Sequence, residues 1–184
     1  MVFTAWVTVA CRSSDFQTSA LQRSCPQAAA GHQIRSGKTS ISLNSQTVNA
    51  LLADSFLTTP TGKAKFKNFV FSFPVTGGSF SGASRSTIRH TGGIKVTRKT
   101  KHITIRNLVI KLHSGTGTAL VSGHGRMSAI TVSGPQGGSA HSVFGYTVKL
   151  SRPLCRVLEK KFHTKAFKKH RTLGIGSTRV RFKK

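Results

Sequence analysis

Acidic residues are almost absent from this sequence. Asp15, Asp54 and Glu159 are the only three, against 29 lysines and arginines. A glycosidase needs two carboxylates flanking one bond, and a calcium or magnesium centre needs several oxygen donors. Asp54 and Glu159 fall in separate predicted helices, and Asp15 in an atypical N-terminal stretch. Neither arrangement is expected. Cysteine is sparse too: Cys11, Cys25 and Cys155 never pair as CxxC, which excludes a zinc knuckle and a thioredoxin-type motif. Cys155 reads as a small buried residue rather than a nucleophile. Long apolar runs are missing, and no stretch reaches the roughly 20 residues of a spanning helix.

Other absences concern motifs. The eight histidines never form HxxxH or HExxH. His163 and His170 in "KKFHTKAFKKH" would share a helix face, but without acids or cysteines nearby they read as a solvated basic face, not a metal site. Gly115-Thr116-Gly117 is not completed into a phosphate loop. No constellation of nucleophile, base and oxyanion donors emerges, so the chain is expected not to be an enzyme.

What is present is positive charge. The 184 residues carry a formal net charge of +26 and a pI of about 11.8. Such a chain is drawn to anionic surfaces and polymers, and to nucleic acid non-specifically. The densest basic stretch runs from Lys160 to Lys184. Lys160, Lys161, Lys165, Lys168, Lys169 and Arg171 are its candidate anion-binding surface. No RNP, KH or helix-turn-helix pattern accompanies it.

Residues 1–30 differ from the rest. They hold few charges, a short apolar run over 2–10, and an Ala28-Ala29-Ala30 ending that fits a leader-peptidase site. They are expected to be an export leader or a disordered N-terminal extension. Residues 31–184 are expected to form a single domain.

Within 31–184 the pattern is mostly β. "KTSISL" alternates as a strand, and "LNSQTVNALLADSF" follows as a helix with Asn44 or Ser45 as N-cap. Val48, Leu51, Leu52 and Phe56 are its expected apolar face. Phe69, Phe71, Phe73 and Val75 recur at period two, reading as one core-facing side of a strand rather than a base-stacking platform. Thr91-Gly92-Gly93 reads as a hairpin turn, with His90 a hairpin residue before it. The alternation in "HITIRNLVIKL" slips at Arg106-Asn107, which predicts a bulge. Near the C-terminus, "SRPLCRVLEKKF" is a second helix with Ser151 as N-cap and Leu154, Val157, Leu158 and Phe162 on its apolar face. "GSTRVRF" is the closing strand. The expected fold is an antiparallel β-sandwich or β-roll with two short helices, one near each end of the domain.

The ordered set "FVFSFPVTGG", "TIRHTGGIKVTRKTKHITIRNLVIKL", "GTGTALV" and a final strand and helix ending "KKFHTKAFKKHRTLGIGSTRVRF" resembles the HtaA-type domains of secreted and cell-surface actinobacterial proteins. The resemblance spans about residues 36–182, in a divergent branch. It implies a mostly-β domain, export to the cell surface and haem as cofactor. In that family haem is held by a tyrosine in an N-terminal aromatic segment and supported by a histidine in a T-G-H-x-G-like turn. This sequence departs at both places. Its one tyrosine, Tyr146, lies far downstream, and the turn reads Thr91-Gly92-Gly93 with His90 ahead of it. His90 and Tyr146 are the substitute ligand candidates, since imidazole and phenolate both bind haem iron. The expectation is an exported, non-enzymatic envelope-binding domain for haem or another anionic ligand. The alternatives are a basic nucleic-acid-binding protein and a structural module of an envelope assembly.

Overall fold

A computed structural model describes residues 31–82 and 85–184. The expected leader, 1–30, lies outside the described residues. The elements follow the sequence as β1 (His32–Leu43), α1 (Ser45–Ala53), β2 (Leu57–Thr61), β3 (Lys65–Lys67), β4 (Val70–Phe80), β5 (Thr87–His90), β6 (Gly93–Arg98), β7 (Lys101–Lys111), β8 (Thr116–Val121), β9 (Gly125–Ser133), β10 (Gly137–Ser139), β11 (Ser142–Leu150), α2 (Arg152–Phe162), α3 (Ala166–Lys169) and β12 (Thr172–Phe182).

The strands do not make an open sandwich. They run antiparallel in the order β7-β5-β4-β1-β12-β11-β9-β8, and β8 returns to β7, so eight strands close into a barrel. Closure removes the free edges that an open sheet leaves unpaired. The interior comes from the alternation in each strand: Thr39 and Ile41 in β1, Phe73 and Val75 in β4, Ile88 and His90 in β5, Thr178 and Val180 in β12 are all buried.

Thr91-Gly92-Gly93 is not a hairpin turn. β5 and β6 do not pair with each other. Both lie along β7, β5 against its C-terminal half and β6 against its N-terminal half. The stretch is a kink between two collinear strands. Gly92 takes φ +76, and the Asn107 amide donates to its carbonyl at 2.9 Å. Asn107 itself sits at φ +54, where the pairing of β7 with β8 slips between Arg106 and Val109. That is the bulge the sequence predicts. Past the kink, β6 stays paired with the N-terminal half of β7 and carries β2 on its other edge, a flap that extends the sheet beyond the ring.

The helices collect at one end of the barrel, although they come from opposite ends of the sequence. α1 follows β1 and α2 follows β11. The join is fixed by antiparallel pairing, which sets Leu43 at the end of β1 beside Gly174 near the start of β12. α3 is a single turn, a third helix beyond the two expected. Asn44 caps α1 by accepting from the Thr47 amide at 2.7 Å, and Ser151 caps α2 by accepting from Leu154 at 3.2 Å. Leu154, Leu158 and Phe162 of α2 are buried as expected, and so is Cys155. The α1 face differs. Among its residues Thr47 alone is buried, Leu52 is 68% exposed, and Phe56 is buried from beyond the helix. Phe69 also departs from its row: at φ +59 it turns outward and is 55% exposed, while Phe71, Phe73 and Val75 are core.

Candidate functional site

Three places hold chemistry. The first is inside the barrel. His90 and Tyr146, far apart in sequence, are both buried there and joined by two threonines. His90 Nδ1 lies 2.9 Å from the Leu108 carbonyl and Nε2 lies 2.7 Å from Thr39 Oγ1. Thr39 Oγ1 lies 2.7 Å from Thr178 Oγ1, which lies 2.7 Å from the Tyr146 hydroxyl. A carbonyl only accepts, so Nδ1 must donate to Leu108. The neutral ring then accepts at Nε2. The direction of the whole chain follows: Tyr146 donates to Thr178, Thr178 to Thr39, and Thr39 to His90.

Burial holds both ends of this chain neutral. It lowers the His90 pKa to about 4, partly opposed by the Leu108 hydrogen bond. It raises Tyr146 to about 12, against the stabilising hydroxyls of Thr178 and Thr39. Gly176 pairs with Tyr146 on the neighbouring strand, and a side chain there would run into the tyrosine ring. Both His90 nitrogens and the Tyr146 hydroxyl are thus engaged within the barrel wall. The sequence shows why Thr39 and Thr178 belong here: they alternate in step with Ile41 and Val180.

The second place is outside the barrel, next to His90. An open cleft of about 660 Å³ crosses the outer face of β5, β7 and β8, with Arg89, Lys111 and Arg126 among its walls and Thr76, Thr87 and Thr118 between them. Its lining is basic and hydroxylic rather than an apolar slot.

The third place lies between the helical end and the barrel. A cavity of about 90 Å³ is enclosed by Leu43 of β1, Ala50 and Leu51 of α1, Phe71 of β4, Ile94 and Val96 of β6, Leu158 of α2 and Phe167 of α3. Almost every wall atom is apolar. The cavity shares Ala50, Ala166 and His170 with an outer groove of about 650 Å³, which is rimmed by Lys165, Lys168 and Lys169. Arg98 ties this region together. It donates to the Asp54 carbonyl and to the Phe162 carbonyl, each at 2.9 Å, and lies 5.3 Å over the Phe56 ring. Asp54 pairs with it at 3.7 Å.

The candidate anion surface divides among these places. Lys165, Lys168 and Lys169 rim the groove. Lys160 and Lys161 are exposed on α2. Arg171 turns inward, donating from Nε and Nη2 to the Leu150 carbonyl at 3.0 and 2.9 Å. The cavity itself was not visible in the sequence, because its walls come from ten separate elements. His170, which the sequence places on a solvated basic face, is instead half-buried and lines this cavity.

No protein-family model matches the sequence, and no curated protein sequence does. Solved structures do match in shape. The C-terminal domain of HtaA from Corynebacterium glutamicum superposes with a TM-score of 0.60 at 17% identity, covering 83% of this chain and 98% of that domain. The haem-binding protein HtaB from the same organism gives a TM-score of 0.50 at 14% identity, covering 81% and 95%. The barrel with its helices at one end is therefore an HtaA-type fold, carried by a distant sequence.

Proposed function

We propose that this domain is a non-enzymatic binding protein for haem, which it seats at the helical end of the barrel. One observation carries the reading: an apolar cavity there shares Ala50, Ala166 and His170 with a groove rimmed by Lys165, Lys168 and Lys169. Haem has an apolar body and two carboxylates at one edge, and it matches that division. The haem-binding neighbour HtaB supports the choice of ligand. The acids support a binding role over a catalytic one. Asp54 is paired with Arg98, and Glu159 accepts from the Lys168 amide at 2.6 Å.

The fit has a condition. The closed cavity, about 90 Å³, is smaller than the ~300–1,000 Å³ of ordinary ligand pockets. It takes the edge of a ring, and the rest must lie in the groove as α1 swings outward. α1 is held at both ends, by Asn44 and Thr47 on the Thr172 carbonyl and by Arg98 on the Asp54 carbonyl, so the swing must break the Arg98 contacts and lift the half-buried Leu51 from the core. His90 and Tyr146 have no place in this seat. They remain inside the barrel.

Haemin titrated into the full chain at micromolar concentration is expected to give a shifted Soret band. Ala50→Trp, which fills the cavity mouth, is expected to weaken binding about tenfold or more. The absence of a Soret shift in the unaltered chain overturns the reading. The same reading places the protein outside the cell, on the strength of the Ala28-Ala29-Ala30 ending. Mass spectrometry of the native protein is expected to find a mature start after Ala30. A start at Met1 defeats that half of the proposal.

A further inference from the structure

We propose that the outer cleft over β5, β7 and β8 is a binding site for a phosphorylated sugar or polyol. The site shares no residue with the cavity or grooves of the helical end, and it stands independently of the haem reading. Size is the first argument. At about 660 Å³ the cleft lies within the ~300–1,000 Å³ of ordinary ligand pockets.

Strand register makes the cations converge. Arg89 lies across from Val109 of β7, and Val109 lies across from Thr118 of β8. Lys111 follows Val109 on the same outer face of β7, diagonal to Arg89. Arg126 reaches in from β9. Its Nη1 donates to the Asn107 carbonyl and to Thr118 Oγ1, each at 3.3 Å. The bulge permits the first of these bonds, because the slip between Arg106 and Val109 leaves Asn107 without a paired residue on β8. Half-buried Val109 is therefore a floor with cations around it. On the β4 side Arg89 faces Gly77, which has no side chain to close that bank.

Charge and hydrogen bonding select the ligand. No carboxylate lines the cleft. The one ion pair among the described residues, Arg98 with Asp54, is at the helical end, so counter-charge for Arg89, Lys111 and Arg126 comes from solution. A phosphoryl group carries about two negative charges and three strong acceptor oxygens. That is the complement of two forked guanidiniums and an ammonium. Thr118 accepts from Arg126, which leaves its own proton free to donate, and Thr87 lies across from Lys111. These hydroxyls suit a hydroxylated body beside the phosphate. The lining holds no Phe, Trp or Tyr, so it offers no platform for the base stacking that single-stranded nucleic acid uses.

Amide chemical-shift titrations of the full chain with glucose-6-phosphate, inorganic phosphate and glucose, at physiological salt, test the site. Glucose-6-phosphate is expected to bind more tightly than phosphate, glucose not at all, and the shifts should centre on residues 87–91, 107–111 and 118. Arg89→Gln changes an exposed side chain that bonds to nothing else among the described residues, and it should weaken the sugar phosphate about tenfold or more. Arg179→Gln removes the same charge from the outer face of β12 and should leave the affinity within about twofold. If Arg179→Gln costs as much as Arg89→Gln, binding is a diffuse response to net charge and the site is overturned. If inorganic phosphate binds as tightly as the sugar phosphate, the role of the hydroxylated body is overturned. An unaltered chain that binds neither anion at millimolar concentration overturns the whole proposal.

Discussion

Thr39 sits in the middle of the buried chain, and its hydroxyl has two duties. It donates to His90 Nε2 and accepts from Thr178. Thr39→Val removes both at once and leaves an imidazole acceptor and a hydroxyl donor unpaired in the barrel, at a cost of ~2–4 kcal/mol. Tyr146→Phe removes only the terminal donor and should cost ~1 kcal/mol. Denaturant midpoints compare the two, and equal losses would show that the chain does not run in the direction assigned. The titration of His90 adds a pH dependence. With its pKa at about 4 in the fold and ~6.5 in the unfolded chain, the unfolded state binds the extra proton between those values. Stability is therefore full above about pH 6.5 and declines as pH falls towards 4, by ~3 kcal/mol in all. Unfolding curves between pH 7 and 4 read this slope, which should flatten in His90→Gln. The sequence placed His90 and Tyr146 as ligand candidates on the family pattern, but only the register of β1 and β12 shows them joined.

The kink at Gly92 decides how β5 and β6 relate. Its φ of +76 suits glycine, and a Cβ there would lie 2.6 Å from the Ala64 amide nitrogen and 2.8 Å from the Thr61 carbonyl. Gly92→Ala is expected to cost more than ~1 kcal/mol and to loosen the flap of β2 and β6. Gly77→Ala, at a position with open space around it, should stay within ~0.5 kcal/mol. Thermal unfolding and amide exchange in residues 57–61 and 93–98 distinguish the two. A tolerated alanine at Gly92 would mean that the kink is not fixed by backbone contact. At this scale much was readable. The N-caps at Asn44 and Ser151, the α2 face and the bulge at Asn107 depend on residues within a few positions of one another. The hairpin misreading at Thr91-Gly92-Gly93 has the opposite cause. A kink and a hairpin use the same glycine chemistry, and only pairing with the distant β7 separates them.

Charge acts on the molecule as a whole. Both described acids, Asp54 and Glu159, sit at the helical end, each occupied by a partner there. Elsewhere basic side chains face one another without relief, as where Lys38 lies directly across from Arg179 on the outside of β1 and β12. Like charges so placed favour an external anion. The chain is expected to bind any DNA duplex weakly and without regard to sequence, losing ~10³-fold or more in affinity between 50 and 200 mM salt. Fluorescence anisotropy with two unrelated duplexes measures this. A marked preference for one of them would favour a nucleic-acid function over the envelope-binding one.

The sequence by itself determined the elements, the excess of positive charge and the lack of catalytic carboxylates, since composition and period depend only on the order of residues along the chain. It also carried the HtaA-type resemblance that the fold bears out. The tertiary structure decided the rest. A strand pattern reads the same in a sandwich and in a barrel, and only the pairing of β7 with β8 closes the ring. Closure encloses His90 and Tyr146 in one hydrogen-bonded chain. It also brings helices from residues 45–53 and 152–169 to a single end, where a cavity with His170 in its wall opens between them. No local pattern encodes that cavity, because each of its walls is set by packing between segments remote in sequence.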